Sequence, residues 1–457
     1  MNFELHSRNQ IHNNYIRFMR FLNTFLIGLL IPLLASCLAL KMHQAKRKIT
    51  KSVSGSELFK GHFTGFALYD PETNQYLQEQ NADKYFTPAS NTKLFTFYAG
   101  LKMLGDSVPG LKYAISGDSL VFWGTGDPTF LDPDFHDQPV FDFLKNSDKH
   151  LFYAQGNFQD AHYGDGWAWD DYPYYYQPEK SAMPIYGNMA IFSMDSVTQK
   201  EKITPSFFND FTQFLPDRKP SLYPNRNFEH NIFEYYLDED KSSRKNRVPF
   251  RVSDELLTKL LADTLKKQVG IIPYKPYDNS KTIYSGRMNE VYAWMLKASD
   301  NFLAEHILFL CAAEKGDSLN SARIRASMIA NHLNDLPSPP IWRDGSGLSR
   351  YNLFTPRSMV TLLEKIKQEL KEEQMLSLLS VGGVDGTIRS WYKSDDDEPY
   401  IFAKTGTLSN NHSLSGFIRT KSGKLLTFSF MHNNYNSSST PVKIEMEKTL
   451  KLVRDLY

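Results

Sequence analysis

Thr87-Pro88-Ala89-Ser90-Asn91-Thr92-Lys93-Leu94-Phe95-Thr96-Phe97-Tyr98 is the stretch from which the organisation of this chain is read. Thr87 carries the side chain of a helix N-cap, and Pro88 suits a first turn, where its missing N–H costs nothing. Leu94, Phe97, Tyr98, Leu101 and Leu104 then recur at helical spacing, and Gly105 supplies a stop. The pattern predicts a buried helix with Ser90 in its first turn. Residues three apart share a helix face, so Lys93 projects beside the Ser90 hydroxyl, where a neutral amine can take its proton. Alone, the pair reads as a helix-start serine with an exposed lysine one turn on. Two other Ser-x-x-Lys strings lack the apolar context. Ser242 to Lys245 lies in a charged run beginning at Asp238, and Ser390 to Lys393 precedes Asp395-Asp396-Asp397-Glu398, both of which read as solvated surface.

Two further strings extend the pattern. Ser299-Asp300-Asn301 precedes Phe302, Leu303, Ile307, Leu310 and Cys311, a periodic apolar face ending near Gly316. By itself this is an ordinary helix cap. Beside a nucleophile, the Ser299 hydroxyl can relay a proton, and the Asn301 amide can donate to a substrate carbonyl while accepting from Lys93. Lys404-Thr405-Gly406-Thr407 follows Tyr400-Ile401-Phe402-Ala403 on strand-like sequence, and His412 to Thr420 and Leu425 to His432 read as two more strands. Gly406 leaves room for a peptide laid along a strand edge, while Lys404 and Thr405 offer a cation and a hydroxyl to a carboxylate. On its own the string is an edge strand whose lysine discourages aggregation.

Taken together, the three strings form the motif set of active-site-serine enzymes that act on D-Ala-D-Ala peptides or β-lactams. Longer stretches narrow the match: Gly124-Thr125-Gly126-Asp127-Pro128-Thr129, Gly166-Trp167-Ala168-Trp169-Asp170-Asp171, Asp344-Gly345-Ser346-Gly347-Leu348-Ser349-Arg350 and Gly383-Val384-Asp385-Gly386-Thr387. The chain resembles the D-alanyl-D-alanine carboxypeptidase/endopeptidase family of the penicillin-binding-protein-4 type (peptidase family S13), over most of its length after about residue 60. The resemblance implies an α/β (α+β) fold: a β-lactamase/DD-peptidase-like catalytic domain, antiparallel sheet with flanking helices, interrupted by a β-rich insertion. The expected organisation is a leader over 1–36, a tether over 37–50, catalytic sequence over 51–105 and 286–457, and the insertion over 106–285.

The implied roles follow residue by residue. Ser90 is the nucleophile and Lys93 its base, made neutral by burial or by the cationic Lys404 across the cleft. Ser299 and Asn301 shuttle the proton and position the peptide, and Lys404, Thr405, Gly406 and Thr407 form the substrate strand. The backbone N–H groups of Ser90 and Thr407 hold the oxyanion. Asp171 is the acidic group that would face a free amine on the third residue of the substrate. Substrates are peptidoglycan stem peptides and cross-links, with β-lactams as inhibitors; no cofactor or metal is implied. Two other readings remain: a serine β-lactamase, for which no Glu-bearing deacylation loop is identifiable, and a catalytically inactive envelope scaffold that kept the fold.

Compartment is read from the N-terminus. Arg17 and Arg20 precede an apolar stretch from Phe21 to Leu33 of signal-peptide character, ending in Leu34-Ala35-Ser36-Cys37. Small residues before a cysteine resemble a lipobox, in which the leader is cut before Cys37 and the new terminus is lipidated. Each buried methylene then adds about 0.8 kcal/mol of membrane affinity. The competing reading is an uncleaved anchor, since with Leu38 to Leu40 the stretch approaches the length of a span. Either way the enzyme faces the envelope. The chain has two cysteines, so a lipidated Cys37 leaves Cys311 alone on an apolar helical face, as a core residue. A net charge of +1 over 457 residues gives no support for a nucleic-acid partner.

Overall fold

A computed structural model of the protein describes residues 19, 21, 42–194, 201–215, 225–236, 246–316 and 318–457. Cys37 and Ser242 lie outside the described residues. The principal sheet has six strands in the order Ser380–Val381, Ile401–Leu408, Asn411–Arg419, Leu425–Asn433, Phe63–Asp70 and Gln75–Gln80. All neighbours are antiparallel. Phe63 pairs with Asn433 and Tyr69 with Thr427, so strands from opposite ends of the sequence close one sheet.

Both faces of this sheet are covered. Along Leu425–Asn433, Leu425 and Met431 enter one core, while Leu426, Phe428 and Phe430 enter the other, as the two-residue period of a strand requires. The first core holds the helices Lys93–Met103, Asn301–Glu314 and Pro356–Glu369. Every residue of the middle helix from Phe302 to Ala313 is buried, and apart from Glu305 and His306 all of them are apolar. The second core holds the C-terminal helix Ser439–Leu456 through Val442, Met446, Leu450 and Val453.

The expected tether is corrected in part. Residues 42–54 form a helix, and Ala45, Ile49 and Val53, spaced four apart, are buried, the last two in the second core. Ser52 bonds Thr449 at 2.7 Å. A lysine-rich flank disguised that single apolar stripe.

A second sheet, of five strands, runs Val269–Pro273, His150–Gln155, Ser119–Gly124, Ser107–Ser116, Lys281–Arg287. Two of its pairings are parallel. Parallel neighbours need crossovers, and the helices Pro139–Asn146 and Asp254–Leu265 supply them, burying Val140, Leu144, Leu257, Leu260, Leu261 and Leu265 against the strands. The region read as β-rich therefore contains helices of its own. Among the described residues no helix is long and apolar enough to cross a membrane.

Candidate active site

Ser90 sits in a 3-10 turn, Ala89–Thr92, that runs without a break into the α-helix beginning at Lys93. Thr87 is not the cap; its backbone N–H donates instead to Asn433 Oδ1 at 2.7 Å. Ala89 has a φ of +49°, a left-handed conformation that a side chain disfavours. Surrounding contacts impose it. Phe86 and Phe354 exchange backbone hydrogen bonds, Thr92 Oγ1 donates to Ala89 O at 2.8 Å, and Asn91 Nδ2 donates to Lys404 O at 2.9 Å.

A Cβ on Gly406 would stand 2.3 Å from Pro88 O and 2.9 Å from Ser90 N, so the glycine makes room for the serine turn against the strand. Gly347, at φ +87°, does the same from the other side, where a Cβ would meet Ala89 O at 2.0 Å.

Lys93 is fully buried, and its Nζ has three neighbours: Ser90 Oγ at 3.0 Å, Asn301 Oδ1 at 2.6 Å and Ser346 O at 2.7 Å. Neither the amide oxygen of Asn301 nor the Ser346 carbonyl can donate. A neutral amine has two N–H bonds and one lone pair, so those two acceptors take both hydrogens and leave the lone pair facing the Ser90 hydroxyl. Burial lowers the Lys93 pKa to about 8, against the opposing pull of Asp300, Asp344 and Glu305. Lys404, also buried, donates to Ser299 Oγ and to Thr405 O, each at 2.8 Å. Its pKa is pushed well below the ordinary lysine value by burial and then by the charge of Lys93. Burial is thus the largest cause lowering the pKa of both amines, and the repulsion between Lys93 and Lys404 disfavours having both charged at once.

Asp300 caps the Asn301–Glu314 helix, accepting from Leu303 N at 2.9 Å, while Ser299 before it takes a φ of +61°. Asn301 is also less free than expected. Its Nδ2 donates to Tyr176 O at 2.9 Å, so one of its two amide hydrogens is spent on the chain that precedes the helix by more than a hundred residues. Ser90, Ser299, Thr405 and Thr407 line one cleft of about 320 Å³, together with Thr387 and Trp391. Thr405 Oγ1 donates to Thr387 Oγ1 at 2.7 Å, and Thr407 Oγ1 meets His412 Nδ1 at 2.8 Å. His412 is held neutral, burial and the nearby Lys443 lowering its pKa to about 3.

Asp171 does not line this cleft. Its carboxylate lies against the Tyr176 hydroxyl, whose pKa is raised by burial and then by that contact. Ser346, Asp344, Thr387 and His412 were not singled out from sequence as site residues. The first three lie within glycine-punctuated strings quoted above. Asp344 ties that loop together, accepting from Gly347 N at 2.8 Å, Ser349 N at 2.7 Å and Trp167 Nε1 at 2.9 Å. Cys311 is buried and unpaired, and burial raises its thiol pKa.

Comparison with known proteins gives a concordant picture. Residues 45–453 match the model of the D-Ala-D-Ala carboxypeptidase 3 (S13) family. The D-alanyl-D-alanine carboxypeptidase DacB of Haemophilus influenzae is 23% identical over 441 residues, covering 88% of this chain and 91% of that protein. A D-alanyl-D-alanine carboxypeptidase of an Actinomadura species is 24% identical over 469 residues, covering 91% and 85%. The crystal structure of penicillin-binding protein 4 from Haemophilus influenzae superposes with a TM-score of 0.71 at 20% identity, covering 90% of this chain and 99% of that one.

Proposed function

This chain belongs to the D-Ala-D-Ala carboxypeptidase 3 (S13) family and is a serine-type, penicillin-binding D-Ala-D-Ala peptidase, and from that premise we propose that Ser90, Lys93, Ser299, Asn301 and Lys404 carry its chemistry. The observation that supports this most is the placement of both Lys93 hydrogens on fixed carbonyl acceptors, which aims the lone pair at Ser90 Oγ. Lys93 takes the hydroxyl proton as Ser90 attacks the carbonyl of the penultimate D-alanine. The tetrahedral oxyanion is held by the backbone N–H groups of Ser90 and Thr407, donors of a kind whose single loss costs about 2.7–4 kcal/mol. The proton taken by Lys93 is returned to the leaving amine through the Ser299 hydroxyl, which gives up one proton and regains one, and which Lys404 holds by a hydrogen bond. Lys404 and Thr405 receive the departing carboxylate. Water then hydrolyses the ester at Ser90.

Family membership makes the substrate peptidoglycan and the setting the cell envelope. We further read Cys37 as the lipidated first residue of the mature protein, with 1–36 removed as a signal peptide, because small residues precede it after an apolar stretch. The catalytic reading is tested by incubating the protein with a stem pentapeptide. Release of D-alanine by the wild type and none by Ser90→Ala is the expected result; equal release by both would overturn it.

A further inference from the structure

Thr387 and Trp391 of the candidate cleft also line a neighbouring, larger groove of about 1020 Å³. One wall is a face of the helix Met288–Lys297, presenting Glu290, Ala293, Trp294 and Lys297 at three- and four-residue spacing. The facing wall runs from Gly386 to Trp391 and includes Arg389, while Asp134 and Phe135 complete the lining. Trp294 is 42% exposed, with its ring 6.4 Å from that of Phe135. Lys297 is paired with Asp385 and Asp134 with Arg247, each at 2.6 Å. Arg389 and Glu290 are exposed and make no ion pair among the described residues.

The groove begins at the side of the cleft that matters for the leaving group. Thr387 is bonded to Thr405, one of the two residues assigned above to the departing carboxylate. A single D-alanine ends there. In a cross-linked substrate, the departing amine instead carries a second stem peptide, with further carboxylates and an extended backbone that must go somewhere. The groove offers it a free guanidinium, a free carboxylate and an exposed indole.

We propose that this groove binds the second stem peptide of a cross-linked dimer, with Arg389 taking one of its carboxylates and Trp294 covering its apolar face, so that cross-links are favoured over free stems. The proposal rests on the DD-peptidase reading of the Ser90 cleft. The chemistry is unchanged: the amide bond breaks, an ester forms at Ser90 Oγ, and the second stem leaves as the protonated amine.

The test compares kcat/KM for a purified D,D-cross-linked peptide dimer with that for a free stem pentapeptide, in wild type, Arg389→Ala, Arg389→Glu and Trp294→Ala. The dimer-to-monomer ratio is expected to fall about tenfold in each alanine variant, through KM, and further in Arg389→Glu. In the wild type the ratio is expected to fall with added salt. A ratio unmoved in all three variants overturns the proposal, as does a wild type that hydrolyses the pentapeptide and leaves the dimer intact; in that second case the peptidase reading stands. If neither substrate is cleaved and penicillin leaves no adduct on Ser90, the peptidase reading itself fails and the groove assignment falls with it.

Discussion

Lys93 must be neutral to accept a proton, and its pKa is lowered only to about 8. Below that value the neutral fraction drops tenfold for each pH unit, so kcat/KM for acylation should climb with unit slope towards pH 8 and level above it. A flat profile from pH 6 to 9 would remove Lys93 as the base. Asn301→Asp sharpens the test. A carboxylate placed on the Lys93 ammonium favours the charged form, so the acidic limb should move to higher pH by about one unit or more. The rate at pH 7 then falls while the plateau at high pH is approached; an unmoved limb would show that the Asn301 contact does not govern the amine. Penicillin should acylate Ser90, and peptide mapping that found the adduct on Ser390 or Ser242 would reverse the assignment. Lys93→Ala is expected to slow that acylation by about 10²–10⁴-fold, as for the loss of a general base, in a protein that still melts cooperatively.

The serine turn is held between two glycines on separate elements, Gly406 on its strand and Gly347 in the Asp344 loop. Alanine at either position would push backbone against backbone. Overpacking of this kind costs about 1–3 kcal/mol, and here the strain is delivered to Ala89 and Ser90 themselves. Gly406→Ala and Gly347→Ala should therefore lower the melting temperature and slow penicillin acylation together. Gly117 provides the contrast, with a φ of +59° and nothing within 4 Å of an added Cβ. Gly117→Ala is expected to cost only the left-handed strain, about 1–2 kcal/mol, without a change in acylation rate. If all three variants lose stability and acylation in the same proportion, the glycines act on the fold as a whole and not on the turn.

Across the whole molecule, the decisive kinetic property is how long a penicilloyl ester survives. A cleaved peptide releases its leaving amine and opens the site to water, whereas the leaving fragment of a β-lactam stays tethered to the acyl group. Intact-mass measurement after one equivalent of penicillin should show an adduct persisting for minutes or longer in an enzyme that turns over D-Ala-D-Ala peptides. Loss of the adduct within seconds, with no D-alanine released from peptide, would favour a β-lactamase. The tether belongs to the same scale. Cys37→Ala should abolish fatty-acid labelling and leave the leader attached, and labelling equal to wild type would favour an uncleaved anchor.

Much of this protein is determined by local sequence. Ser90 and Lys93 stand three apart, so any helical or 3-10 path brings them together, and the strands Ile401–Leu408, Asn411–Arg419 and Leu425–Asn433 lie where alternating apolar residues predict them. Apolar periodicity also locates the helix that Asp300 caps. The tertiary structure alone decides the chemical state of the site. The Lys93 pKa depends on burial by distant segments, and the direction of its lone pair on a side chain at Asn301 and a backbone carbonyl at Ser346, neither within reach of any local pattern. Gly406 is legible as a glycine in a motif, but which neighbour forbids its Cβ appears only once the Pro88–Asn91 turn is laid on the strand. The buried helix over 42–54 and the groove beside Trp294 were equally hidden, because charged flanks mask a single stripe and a cavity belongs to the space between elements rather than to any one of them.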